Sequence, residues 1–83
     1  MATVKVRYWA AAKEAAGVAE EPVEAANLGE LMTKITADRE TLAAVMKRAS
    51  FLVDGRAVGR RAHADVELGE GAVVEVLPAF AGG

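Results

Sequence analysis

The chain closes on Gly82-Gly83, and this is where its residue types and spacing point most directly to chemistry. A carboxylate carried by glycine has no Cβ beside it and tolerates almost any backbone dihedral, so an enzyme's backbone and an ATP α-phosphate can approach it closely. A free carboxylate is a poor acyl donor near neutral pH. It must first be activated, for instance as an acyl-adenylate, before a sulfur or nitrogen nucleophile displaces the leaving group. Nothing in the chain is suited to that activation: it has no cysteine, one histidine and no glycine-rich phosphate loop between a strand and a helix. ATP is therefore expected to be used by a partner, with this chain as the substrate and no cofactor bound to it. The residues alone leave a second reading open, that Gly82-Gly83 is an ordinary frayed end of a chain with eight glycines.

Other chemistry-bearing residues are weaker candidates. No acidic pair or nucleophile–base set stands out by its spacing, so an independent catalytic site is not expected. His63 has no cysteine or second histidine with which to hold a metal, and reads as a loop residue. Lys47, Arg48, Arg56, Arg60 and Arg61 are basic enough to dock an acidic partner, but the plainer reading, a solvated face, is preferred because sequence does not order loop residues in space. Met32 and Met46, at helical spacing, are assigned to packing. Phe80 either folds back on the domain or fills a partner's pocket. The pocket is preferred, with Ala81 and Gly82 in the same contact segment. Glu75, inside an apolar run, is left between solvent and an interface.

Composition narrows the classes further. Ten Lys and Arg against twelve Asp and Glu give net charge −2, and the aromatics do not interleave with basic residues, so nucleic acid is not an expected partner. Without cysteine the fold must hold by packing alone. Residues 1–5 lead into no long apolar run, and no stretch approaches the roughly 20 apolar residues of a membrane span, so cytoplasmic residence is expected. A chain of 83 residues fits one domain, since two cores would each be too small to offset chain entropy.

The elements that must position the tail follow from periodicity. Val4, Val6 and Tyr8 alternate with Lys5 and Arg7, which predicts a half-buried strand over 3–9. An alanine-rich helix over 10–16 should stop at Gly17. Residues 18–26, with Pro22 and three glutamates, read as an edge strand. Asn27 and Glu30 have capping spacing, and Leu28, Leu31, Met32 and Ile35 mark a helix. Leu42, Val45, Met46 and Ala49 predict further helix after a cap at Asp38 or Thr41. Residues 51–53 and 56–58 around Asp54-Gly55 predict a hairpin, 59–65 a loop, and 66–68 a brief extended piece. The apolar run 72–77 predicts a central strand buried on both faces. Pro78 should end it, giving a domain over 1–77 and a flexible, extended tail over 78–83 able to reach about 20 Å. The order describes a mixed α+β sheet packed on one helical face, for which a β-grasp is the natural match.

Three blocks in the first half carry a resemblance: Val4-Lys5-Val6-Arg7-Tyr8-Trp9-Ala10, Lys13-Glu14-Ala15-Ala16-Gly17 and Leu28-Gly29-Glu30-Leu31. The second half adds Leu52-Val53-Asp54-Gly55 and the whole of 69–83, so coverage is nearly complete. These blocks resemble the MoaD/ThiS family of sulfur carriers, and within it the small subunit of molybdopterin synthase. The resemblance implies a ubiquitin-like β-grasp whose Gly83 is adenylated by a ubiquitin-activating-enzyme-like adenylyltransferase and converted to a thiocarboxylate by a sulfurtransferase or other sulfur donor. In the molybdopterin branch, it implies insertion of the tail into a large catalytic subunit, where two carriers supply the dithiolene sulfurs. Within the carrier class the alternative is another pathway, thiazole or cysteine synthesis. Two further function classes stand beside it: a ubiquitin-like modifier that acylates lysines through Gly83, and an interaction module with an incidental tail.

Overall fold

The computed structural model describes residues 2–79. β1 (Ala2–Tyr8) buries Ala2, Val4, Val6 and Tyr8 and exposes the residues between them, as period-two alternation requires. The chain then turns through Ala10 (φ 49°) into α1 (Ala11–Ala16), which Gly17 ends in the left-handed region at φ 81°. β2 (Glu20–Ala25) pairs antiparallel with β1. α2 (Leu28–Thr36) starts at Asn27, whose Oδ1 accepts from the Glu30 N–H at 2.8 Å, while Glu30 Oε1 accepts from the Ala26 N–H at 3.2 Å. This is the reciprocal cap expected of that spacing, shifted by one residue on the return bond.

α3 (Glu40–Met46) is separate from α2, because Asp38 takes φ 57° and interrupts the helical backbone. Neither Asp38 nor Thr41 caps it: Arg39 holds that position and its side chain makes no capping hydrogen bond. Nor does the helix include Ala49, which opens β3 (Ala49–Val53). Asp54 (φ 50°) and Gly55 (φ 81°) form the two-residue turn to β4 (Arg56–Ala57), the left-handed pair that matches the twist of a hairpin. Within the expected loop, His63–Asp65 forms a short 3-10 turn, and Glu67 bridges to Asn27.

β5 (Val73–Pro78) completes a mixed sheet of order β2-β1-β5-β3-β4. It is parallel to β1 and antiparallel to β3, and so central, as the apolar run predicts. It is not buried on both faces. Val74 and Val76 join the core with Leu28, Leu31, Ile35, Leu42 and Met46, whereas Val73, Glu75 and Leu77 are half-buried on the face without helices. The strand also runs one residue further than expected, through Pro78 opposite Ala49. At that last rung a missing N–H leaves no donor orphaned inside the sheet. The next residue is held too: the Ala79 N–H donates to the Arg48 carbonyl at 3.1 Å. Among the described residues, no helix is long and apolar enough to cross a membrane.

Candidate functional site

Phe80, Ala81, Gly82 and Gly83, the residues assigned to the tail chemistry and its contacts, lie outside the described residues. What is described is the root from which they continue. β5 leaves the middle of the sheet beside β1 and β3, and the Arg48 carbonyl fixes Ala79 at the point of departure.

The open sheet face next to this root carries the side chains that alternation turns away from the core. Trp9 is 43% exposed. Its backbone N–H donates to the Val76 carbonyl at 3.2 Å, and its indole Nε1 donates to Glu75 Oε1 at 3.2 Å. The Arg7 guanidinium lies 5.6 Å from the ring centroid, and Arg7 Nε is 3.6 Å from Glu20 Oε2. An indole held by a hydrogen bond on one strand and a cation on its own has lost rotamer freedom before any partner arrives. Glu75, undecided from sequence, is thereby placed on this face. The Trp9 grouping was not singled out in the sequence, although the signal was there: if Val4, Val6 and Tyr8 face inward, Arg7 and Trp9 share the other side, as does Glu75 between Val74 and Val76.

Beneath the sheet, Tyr8, Glu21 and Arg39 form a buried-to-surface chain. The Tyr8 hydroxyl donates to Glu21 Oε2 at 2.5 Å, and Arg39 places its fork on both Glu21 oxygens at 2.7 and 3.2 Å. Burial, then the adjoining Glu21 carboxylate, pushes the Tyr8 phenol well above its ordinary range. The Arg39 hydrogen bond holds Glu21 below the usual carboxylate range. Each group is locked in its ordinary ionisation state, so the chain ties β1, β2 and the α2–α3 linker together and is not poised for proton transfer.

The other nominated residues fall as follows. His63 sits edge-on to Phe51, centroids 5.4 Å apart at 82°, and packs as a loop residue. Met46 is buried and Met32 half-buried against the core. Of the five basic residues, Lys47 and Arg48 directly precede Ala49 at the start of β3 and Arg60 follows Gly59, which lines a cleft with Lys47, while Arg56 stands opposite Val53 at the far end. Arg61 turns its guanidinium onto the Val58 carbonyl at 3.2 Å. Among the described residues, no group of three or more His, Cys, Asp or Glu could hold a metal ion.

The ThiS family model matches residues 6–83. The chain belongs to the ThiS family. This ThiS-family chain is 30% identical to a Pyrococcus furiosus protein assigned as molybdopterin converting factor subunit 1, with a TM-score of 0.80 over 96% of this chain and 100% of that one. It superposes on small archaeal modifier protein 1 from Methanosarcina acetivorans with a TM-score of 0.86 at 23% identity, over 100% and 98% of the two chains. A chain from the complex of subunits 1 and 2 of molybdopterin-converting factor from Helicobacter pylori gives 0.73 at 23% identity, over 98% and 99%. A search of curated proteins finds no match. The architecture is that of the ubiquitin-like β-grasp proteins among these neighbours.

Proposed function

We propose that this protein is a sulfur carrier that works through the carboxylate of Gly83. The observation that carries the reading is the reach of the family match to Gly83, four residues beyond the last described residue, Ala79. The Gly83 carboxylate attacks the ATP α-phosphate in a ubiquitin-activating-enzyme-like adenylyltransferase, forming an acyl-adenylate and releasing pyrophosphate. Sulfide then attacks the acyl carbon and AMP leaves to give the thiocarboxylate directly, or the outer sulfur of a sulfurtransferase persulfide does so and a thiol cleaves the resulting acyl disulfide, leaving the thiocarboxylate on Gly83 and a disulfide on the donor. Phe80, Ala81 and Gly82 are the residues that occupy the partner's channel.

The acceptor we favour is the molybdopterin dithiolene, built in a large catalytic subunit of molybdopterin synthase. Support comes from the Pyrococcus furiosus relative, whose assigned role is in molybdopterin conversion, and from the Helicobacter pylori complex, in which a second subunit is the partner. Small archaeal modifier proteins share the fold, so protein modification is the competing reading of the same activated glycine.

Intact mass after incubation with Mg-ATP, the adenylyltransferase of the same genome and a sulfur donor tests the proposal, with fragmentation to locate any change. Exchange of one oxygen for sulfur at Gly83 is expected. Isopeptide adducts on lysines without thiocarboxylate would favour the modifier, and an unmodified C-terminus beside an activating enzyme of proven competence would leave the interaction module.

A further inference from the structure

Five of the ten Lys and Arg residues fall between positions 47 and 61, where Asp54 is the one acidic residue, although the whole chain carries −2. The fold gathers three of the five. Lys47 and Arg48 lead into β3 at Ala49, and the hairpin brings the chain back along β3, with the Val58 N–H donating to the Phe51 carbonyl at 3.0 Å. The chain then turns at Gly59, which lines the same cleft as Lys47 and Ala49, and Arg60 follows it. All three are exposed. Among the described residues none of them pairs with a carboxylate, whereas Lys5, Arg7, Lys34 and Arg39 all do. Beside them opens a cleft of about 420 Å³ lined by Met46, Lys47, Phe51, Val58 and His63. The cluster also adjoins the tail root, because the carbonyl that holds the Ala79 N–H belongs to Arg48.

We propose that Lys47, Arg48 and Arg60 dock an acidic rim on the adenylyltransferase that receives the C-terminal tail, and that the cleft between Met46, Phe51 and His63 takes an apolar side chain of that rim. The inference rests on the tail reading above and adds the chemistry of the surface that meets it. Three like charges without counter-charges repel one another and add nothing to the fold. Set beside Ala79, from which the chain continues to Gly83, they attract and orient an oppositely charged surface, chiefly by raising the association rate. Nucleic acid fits less well, since of the two rings at the cluster Phe51 is buried, which leaves His63 alone to stack a base.

The test compares Lys47→Glu and Arg60→Glu with Arg56→Glu, which changes net charge equally but stands at the other end of the hairpin. The readout is steady-state adenylation by the adenylyltransferase of the same genome with Mg-ATP. At low ionic strength, Lys47→Glu and Arg60→Glu should each raise KM for the carrier about tenfold with kcat unchanged, and the gap should close in high salt as screening shortens the range of the field. Arg56→Glu should stay within about twofold of the parent. The neutral Lys47→Gln and Arg60→Gln, which bring no new charge to the surface, should shift KM the same way by less. Equal effects of Arg56→Glu, or a KM insensitive to both substitution and salt, would overturn the docking surface while leaving the carrier chemistry standing. A parent chain that the enzyme never adenylates removes the carrier reading and this inference together.

Discussion

Glu20, Glu21 and Glu24 look alike in the sequence of an edge strand, yet only Glu21 turns inward to meet Tyr8 and Arg39. Alternation announced that Tyr8 faces the core. Its partners, 13 residues away in one case and linked onward over 18 in the other, were not legible, because long-range pairing is decided by how β2 and the α2–α3 linker pack. Removing Arg39 leaves the Tyr8–Glu21 bond without its counter-charge, so Arg39→Ala should lower unfolding free energy by about 1–2 kcal/mol, and Tyr8→Phe by about 1 kcal/mol, in urea titrations at neutral pH. By contrast, the Lys5–Glu20 and Arg7–Glu20 pairs, both at 3.6 Å and largely exposed, should contribute little. The pH dependence follows from Glu21, whose folded-state carboxyl lies below its ordinary 4.5. Its contribution is fully present above that unfolded value and is lost as pH falls through the folded one. The stability gap between parent and Arg39→Ala should therefore narrow when titrations are repeated at progressively lower pH below about 4.5. A gap that stays constant would mean that Arg39 acts through packing alone.

Among the elements, α2 was the most legible, since a cap and four apolar residues at helical spacing agree with one another. Ala49 was misplaced because alanine favours a helix and continues the spacing of Leu42, Val45 and Met46, whereas pairing with Pro78 draws it into the sheet. Burial of β5 on both faces was inferred from its apolar run, but the side-chain sequence does not reveal that the helices collect on a single side. Two substitutions separate the contributions to α2. Asn27→Ala removes the acceptor for the Glu30 N–H and should cost about 1 kcal/mol. At Gly29 helix propensity favours alanine by up to about 1 kcal/mol, yet a Cβ there would meet the Ala64 backbone nitrogen and Asn27 Oδ1, each at 3.3 Å. We expect the close approach to win, so Gly29→Ala should lower the thermal midpoint. A raised midpoint would show that the 3-10 turn gives way without loss.

At the level of the whole molecule, domain and tail are separable in their effects. Gly83 brings no side chain to the core that residues 2–76 form, so deleting it should leave the thermal midpoint unchanged while abolishing thiocarboxylate formation by mass. Phe80→Ala should weaken binding to the tail-receiving partner more than it lowers stability. A large thermal loss would instead assign Phe80 to the domain. The sequence pointed to Gly83 through its own chemistry, whereas the neighbourhood of the tail root, with Trp9 on one side and Lys47, Arg48 and Arg60 on another, depends on strand order. That order has a further consequence for biosynthesis. β5 is the last strand to be translated but fills the centre of the sheet, between β1 and β3, so the β1–β2 and β3–β4 hairpins remain two half-sheets until it emerges. Contacts as distant as Lys5 with Val73 make this a late, slow closure. A chain truncated before residue 73 would hold two unfinished ribbons with open edges, prone to chaperone capture and degradation. Gly82 comes four residues after Pro78, the end of the strand that closes the sheet, so the glycine pair is made only after every strand of the sheet.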